Sequence, residues 1–413
     1  MRFSQYHFHP TILQNLESLG FKKPTDIQYK AIKAITKGED VLAIAQTGTG
    51  KTAAFAIPLI DNMLHQKLHS KSKGIKCLVM VPTRELAIQI AEAFAAIGKN
   101  TKVHAYALIG GIEQDPQIQK MQLGIDILIA TPGRLFDLIH QGFIDLNQLQ
   151  TLVVDEADHM LNLGFFKDIK DILRHIPKRR QTLFFSATID DQIKKLAYQI
   201  VRNAIRIQIS PDNPVNKNIE HQVLKMSMDD KRFFLERLIN ECPDSQILVF
   251  VRTKVRAERV LKALERAGIY AETLHGDKEQ ADRLKTLDQF KLKAFKILIA
   301  TDVSARGIDI PNVDFVVNYD LPDMPENYVH RVGRTGRGRN KGQAYAFCSP
   351  EEQTLLTDIE AYIGSKIEVL DVPKSLYIDT VSSTADASQN DWKTLLKEDE
   401  QQTDKSSKKR TKR

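Results

Sequence analysis

The chain has 413 residues, 42% of them apolar and 27% charged, a balance that predicts a globular protein with ample core, divided into about two to three domains. No apolar run approaches the ~20 residues that span a bilayer, and the N-terminus has no basic-then-apolar leader, so a cytoplasmic protein with no membrane partner is expected. Cys77, Cys242 and Cys348 are too few and too scattered for a disulfide framework or a metal site, and His7 and His9 form a pair without further ligands nearby.

The first thirty residues read as a helical lead-in. Leu13, Leu16 and Leu19 share one helix face and Gly20 ends the run. Gln28 closes Phe21-Lys-Lys-Pro-Thr-Asp-Ile-Gln28, after which Ala31, Ile32 and Ile35 continue a helix. A carboxamide at Gln28 carries the donor and acceptor that suit an adenine edge, and Phe21 offers a face for stacking. Taken alone, the stretch reads as a surface glutamine and a core phenylalanine.

Val41 to Thr52 reads Val-Leu-Ala-Ile-Ala-Gln-Thr-Gly-Thr-Gly-Lys-Thr, an apolar strand feeding a glycine loop. Gly48 and Gly50 allow a tight turn in which successive N–H groups face an anion. A helix is expected from about Lys51, adding its positive end to the loop. Ala45, Gln46, Thr47, Gly48, Thr49, Gly50, Lys51 and Thr52 are therefore candidate ATP-binding residues, with Lys51 on the β- and γ-phosphates and the Thr52 hydroxyl helping to hold Mg2+. Ala45 stands where this loop pattern usually begins with glycine.

Further apolar runs of strand length each end in a polar signature. Cys77-Leu-Val-Met-Val leads to Pro82-Thr83-Arg84-Glu-Leu-Ala87, Ile125-Asp-Ile-Leu-Ile-Ala to Thr131-Pro-Gly-Arg134, Leu152-Val-Val to Asp155-Glu156-Ala-Asp158, and Thr182-Leu-Phe-Phe to Ser186-Ala-Thr188. Helix-length segments such as 85–97 and 165–175 lie between them. Near-continuous apolar strands alternating with helices predict a parallel sheet covered on both faces, with ligands beyond the carboxyl ends of its strands. Asp155 is the carboxylate for Mg2+, through water, and Glu156 is the candidate general base that polarises the attacking water.

A second series repeats the plan. Ile247-Leu-Val-Phe-Val leads to Arg252-Thr253, Tyr270-Ala-Glu-Thr-Leu to His275-Gly-Asp277, and Lys296-Ile-Leu-Ile-Ala to Thr301-Asp302 and on to Arg306-Gly307-Ile-Asp309, with Phe315-Val-Val-Asn as a short further strand. Ile127-Leu-Ile-Ala-Thr131 recurs as Ile297-Leu-Ile-Ala-Thr301, which points to two similar α/β domains. The expected organisation is a lead-in over 1–30, a first domain over 31–207, a linker over 208–219 rich in Pro and Asn, a second domain over 220–375, and a disordered tail over 376–413. Within His330-Arg-Val-Gly-Arg-Thr-Gly-Arg337, three arginines spaced by glycines predict a poor core and a poor helix. Arg334 or Arg337 would serve as an arginine finger or as part of a basic patch for backbone phosphates. Net charge is +7 and the last nine residues hold six positive charges, so the excess lies in a tail that either attracts polyanions or is merely solvated. Trp392 in that tail marks a short docking segment.

The motif set resembles that of a DEAD-box ATP-dependent RNA helicase. Phe3, Gly20-Phe21, Pro24-Thr25 and Gln28 look like the family's Q motif, and AQTGTGKT, PTRELA, Gly110-Gly111, TPGR, DEAD, SAT, ARGID and HRVGRTGR stand in the family's order over about residues 1–375. Asp158 completes Asp-Glu-Ala-Asp, and alanine is common in the family at the position of Ala45. The resemblance implies two RecA-like domains, tandem parallel-sheet domains of the P-loop NTPase class, that close over ATP and RNA. It assigns adenine recognition to Gln28 and Phe21, and coupling of hydrolysis to strand separation to Ser186 and Thr188, with His330 in the same coupling set. Asp302, Gly307 and Asp309 would meet the nucleotide from the second domain, with Arg334 and Arg337 as fingers. Pro82, Thr83, Arg84, Gly111, Thr131, Arg134, Arg252, Thr253 and Thr301 would line the RNA groove, gripping the backbone without reading sequence. Arg252 stands where many members have asparagine, so a bulkier charge would alter the grip. The implied protein is a small bacterial member acting on RNA, with ribosomal precursors or the RNA-decay machinery as candidate partners. Read bottom-up, the residues leave open an ATP-gated RNA clamp without turnover and a DNA-directed helicase.

Overall fold

The computed structural model describes residues 1–46, 48–69, 74–209, 215, 218–305, 310, 313–336, 341–373 and 375–381. Two seven-stranded sheets, parallel throughout, organise the chain. The first contains β1 (Val41–Ala45), β2 (Cys77–Met80), β3 (Ala105–Leu108), β4 (Ile127–Ala130), β5 (Thr151–Val154), β6 (Gln181–Ser186) and β7 (Ile205–Ile209), in the order β3-β4-β2-β5-β6-β1-β7. The second contains β8 (Ile219–Lys225), β9 (Ile247–Val251), β10 (Glu272–Leu274), β11 (Ile297–Thr301), β12 (Phe315–Asn318), β13 (Gly342–Cys348) and β14 (Glu368–Val369), in the order β10-β11-β9-β12-β13-β8-β14. That second order is the first with seven added to each number. The Ile-Leu-Ile-Ala-Thr echo accordingly begins β4 in one sheet and β11 in the other, at equivalent places in the same topology.

The apolar strands are buried from both sides. Val41, Ala43, Val79, Ile129, Val153 and Phe185 join one core cluster, while Leu42, Ile44, Leu78, Leu128, Val154 and Phe184 join another on the opposite face. The two-residue repeat of a strand sends alternate side chains to opposite faces, so a sheet covered twice requires an unbroken apolar run. Two compact units result, the first built chiefly on Met1–Pro214 and the second beginning at Val215.

The edge strands of the first sheet escape that signature. β7 reads Ile-Arg-Ile-Gln-Ile and is exposed except at buried Ile207 and half-buried Ile209, and β3 at the other edge is only half-buried over most of its length. With β7 ending at Ile209 and β8 beginning at Ile219, strand runs into both ends of the segment expected to be a linker. The helix expected over 165–175 is Phe166–Asp171 followed by a tighter turn at Ile172–Arg174. Cys77 and Cys348 are buried and Cys242 half-buried, all as free thiols. Among the described residues no helix is long and apolar enough to cross a membrane. Trp392 and the basic tail lie outside the described residues.

Candidate active site and nucleic-acid interface

The central strands of the first sheet run in the order β5-β6-β1, so the loops after them share one carboxyl edge. After Ala45, itself buried at the end of β1, the chain enters the phosphate loop, and the helix Lys51–His69 begins where the sequence places it. Thr47 lies outside the described residues. The loop is tied from the lead-in: Thr25 Oγ1 donates to Thr49 O (2.8 Å) and Gln28 Nε2 donates to Gly50 O (3.2 Å). Thr49 Oγ1 closes it internally on Gln46 O (2.7 Å). Gly50 sits at φ +92°, and a Cβ there would lie 2.4 Å from Gln28 Nε2, so only glycine fits.

Gln28 is 3% exposed, not a surface residue. Its oxygen accepts from Thr25 N (3.0 Å) in a capping box of the helix Asp26–Thr36, which draws the side chain inward. One N–H and one lone pair of the carboxamide remain for a ligand. Phe21 is half-buried, edge-on to Phe3 at 5.8 Å between ring centres. Lys51 is 6% exposed and its Nζ has no hydrogen-bond partner among the described residues, while Thr52 beside it is half-buried. A buried ammonium without a partner costs free energy, and an anion at this loop would remove that cost.

Asp155 follows β5 and is 2% exposed. Burial raises its carboxyl to about 6, with Lys51 pulling it down and Glu156 pushing it up. A buried, ionised carboxylate requires a cation, which fits Asp155 and Thr52 as holders of Mg2+. Glu156 N donates to Asp155 Oδ1 (2.9 Å), and Glu156 has left-handed backbone angles, φ 49° and ψ 49°. Asp158 Oδ2 accepts from Ala187 N (3.2 Å) and Thr188 Oγ1 (3.4 Å), joining the short helix after β5, Ala157–Asn162, to the loop after β6. Ser186 is fully buried with Oγ unpartnered among the described residues. The sequence reading missed His159, whose Nδ1 lies 3.4 Å from Glu156 Oε2; its place three residues on in a short helix was the available signal.

The second unit corrects the reading of the arginine run. His330 and Arg331 end a regular helix, Pro325–Val332, and both Arg331 (1% exposed) and Arg334 (5%) are buried. Arg331 is affordable in the interior because it is fully engaged. It pairs with both oxygens of Asp302 (2.6 and 2.8 Å), donates to Asn318 Oδ1 (3.2 Å) and Asp320 O (2.7 Å), and lies over the Phe250 ring. Asp302 thus holds Arg331 with both carboxylate oxygens and also accepts from Asn327 Nδ2 (3.4 Å). Gly307, Asp309 and Arg337 lie outside the described residues.

Several expected RNA residues gather where β2, β3 and β4 end. Thr83 caps the helix Arg84–Ile97 by accepting from Leu86 N (3.3 Å), just after buried Pro82, and Thr131 precedes the helix Pro132–His140. The Arg84 guanidinium lies against Gly111, where a Cβ would come within 2.1 Å of Nη1. Arg134 Nη2 donates to Ile112 O (3.0 Å), and its buried Nη1 has no partner among the described residues. Two guanidinium groups and two helix N-termini thus share one edge, a combination whose chemistry suits phosphate. In the second unit, Thr253 caps the helix Lys254–Arg266, and Thr301 closes β11 in a buried position. Arg252 departs from expectation. Its guanidinium is taken by Glu352 (3.0 Å), Asp323 (3.2 Å) and Leu321 O (3.1 Å), because the neighbouring loop presents carboxylates to it.

Comparison with known proteins agrees with this geometry. Residues 25–196 match the DEAD/DEAH box helicase family, and residues 230–339 match the helicase conserved C-terminal domain. The chain is 40% identical over 372 residues to ATP-dependent RNA helicase DbpA of Bacillus subtilis, covering 90% of this chain and 76% of that protein. It is 40% identical over 371 residues to DEAD-box ATP-dependent RNA helicase CshA of Geobacillus kaustophilus, covering 90% of this chain and 78% of that protein. Among solved structures it resembles Dbp5 of S. cerevisiae bound to RNA and ADP BeF3, with a TM-score of 0.81 and 30% identity over 94% of this chain and 99% of that one.

Proposed function

Because the chain belongs to the DEAD-box ATP-dependent RNA helicases, we propose that it hydrolyses ATP in response to RNA and uses the cycle to open short RNA duplexes locally or to remodel RNA–protein complexes. The observation that carries this reading is the buried Lys51 Nζ, without a hydrogen-bond partner among the described residues, at a pinned glycine loop, with Asp155 and Glu156 on the same sheet edge. A set equipped for turnover favours an enzyme over a clamp that only holds RNA. The likeness to a structure bound to RNA favours RNA over DNA.

Phosphoryl transfer asks for positioning and charge stabilisation. The loop from Ala45 to Thr52 cradles the phosphates, Lys51 neutralises the β- and γ-oxygens, and Gln28 and Phe21 take the adenine. Thr52 and Asp155 would hold Mg2+, which would supply further neutralisation of the phosphate oxygens. Glu156 takes a proton from the attacking water. Asp158 links that centre to Ala187 and Thr188, and Ser186 and Thr188 relay it to RNA. Asp302 and His330 belong to the same coupling, Asp302 by holding Arg331. Gly307 and Asp309 contact the nucleotide, and Arg334 and Arg337 stabilise the transferred phosphoryl group. Pro82, Thr83, Arg84, Gly111, Thr131, Arg134, Thr253 and Thr301 grip sugar and phosphate. Arg252 acts as a strut on Glu352 and Asp323 rather than as an RNA contact. Ribosomal precursors or the RNA-decay machinery are the partners in view, in the cytoplasm.

The test is phosphate release from ATP by the purified protein, alone and with single-stranded RNA, duplex RNA or matched DNA. RNA alone should stimulate strongly; equal stimulation by DNA would point to a general helicase, and binding without turnover to a clamp. Glu156→Gln should bind ATP normally and lose about 10²–10⁴ in turnover, the range of a positioned general base.

A further inference from the structure

His159 belongs to none of the motifs assigned above, yet it touches Glu156. It lies in the helix Ala157–Asn162, 3% exposed, with Nδ1 3.4 Å from Glu156 Oε2. Its Nε2 is buried and has no hydrogen-bond partner among the described residues. A bare Nδ1 lone pair facing a carboxylate would be repelled, so the hydrogen sits on Nδ1 and points at Glu156. A second N–H on Nε2 would be buried without an acceptor, which is costly. The ring is therefore a single donor with a single target. That target is constrained from its own backbone as well, since Glu156 occupies the left-handed region that a residue with a side chain rarely adopts. Glu156 N, meanwhile, is held by Asp155 Oδ1. The carboxylate of Glu156 is thus fixed through its main chain on one side and through His159 on the other.

We propose that His159 is a positioning residue for ATP hydrolysis, its Nδ1–H orienting the Glu156 carboxylate toward the attacking water. The inference rests on the reading of Glu156 as the general base. His159 does not meet the nucleotide. It restricts the rotamers of the group that does, and the 3.4 Å contact shortens when the bound state forms, as such hydrogen bonds do.

Three substitutions in the full-length chain separate this role from packing. His159→Asn keeps an N–H near the position of Nδ1, His159→Gln moves it toward the position of Nε2, and His159→Leu fills space without a donor. With saturating single-stranded RNA, the Leu and Gln variants should lose on the order of 10-fold in kcat, a fraction of what the base itself contributes. Their KM for ATP and their affinity for a fluorescent ATP analogue should stay as in the wild type. The Asn variant should keep most of the wild-type kcat. If the Leu variant does not fold, the Asn–Gln pair decides by itself. Asn losing as much as Gln, or Gln matching wild type, would overturn the proposal. Glu156→Gln measured alongside separates the two claims. Should it retain turnover, the base assignment falls; should it abolish turnover while every His159 variant matches wild type, only the positioning role falls. Adding His159→Gln to Glu156→Gln should cause no further loss.

Discussion

Asp155 is 2% exposed just after β5, and what closes over it sets the cost of its charge. Burial lifts the carboxyl from 3.8 to about 6. A carboxyl with a higher pKa folded than unfolded keeps its proton longer when folded, so its stabilising contribution is full below the unfolded value and disappears as pH rises through the folded one. The shift corresponds to roughly 3 kcal/mol. Nucleotide-free protein should therefore lose up to about that much from this group between about pH 4 and pH 7. Urea unfolding of the wild type and Asp155→Asn across that range isolates the effect, and parallel stability curves would mean the carboxyl ionises as it does in the unfolded chain. A carboxylate after Leu-Val-Val, downstream of a phosphate loop, is legible in sequence as a candidate catalytic group, but the cost of its burial is not, and Gln28 and Arg331 make the same point from the opposite side. Each has a polar side chain that composition places outside, and each is buried because its partners, Thr25 N and Gly50 O for one and Asp302 for the other, lie far off in sequence or in an unexpected capping box.

Elements were legible in proportion to their burial. β1, β2, β5, β9 and β11 are central, covered on both faces, and written as unbroken apolar runs. β3, β7 and β14 are edges, half-solvated and mixed in composition, and they escape a rule based on continuous hydrophobicity. β8 and β13 escape it as well, through exposed polar residues along β8 and a glycine start to β13. Most of the functional loops follow central strands, which is why the candidate site is easier to read than the sheet that carries it. A glycine in the loop after the edge strand β3 gives a test. Gly111 has φ +75°, and a Cβ would lie 2.1 Å from Arg84 Nη1 and 2.7 Å from its Cζ. Gly111→Ala must push the guanidinium off the edge shared with Arg134, at a strain of about 1–3 kcal/mol. The RNA concentration for half-maximal ATPase stimulation should rise about 10-fold, the equivalent of one lost charge-assisted contact of roughly 1.4 kcal/mol. ATP binding without RNA should not change. An unaltered RNA titration would remove Arg84 from the interface.

For the whole molecule, charge is spread unevenly between the folded units and the end of the chain. Of the net +7, six positive charges lie in 405–413, which leaves +1 for the other residues. The stretch just before it is acidic: 382–413 as a whole holds eight Lys and Arg against six Asp and Glu, a net of +2. Two physical effects of a basic tail can be separated on that basis. Counterion release counts the cations that sit on phosphates, with a slope of about −0.7 per contact on a single strand in log K against log salt. Long-range attraction follows net charge and is screened beyond a Debye length of about 10 Å at 0.1 M salt. Removing 405–413 takes away six positive charges, and removing 382–413 takes away only two net charges though it contains the same six. If the terminal cluster binds RNA by direct contact, both truncations should flatten the salt slope alike, by up to about 4. If the tail merely steers RNA toward the folded units, the shorter truncation should slow association more than the longer one, and equilibrium slopes should stay near that of the intact chain. Equal slopes and equal rates for all three proteins would make the tail a solvated end and leave RNA binding to the sheet edges that carry Arg84, Arg134 and Thr253.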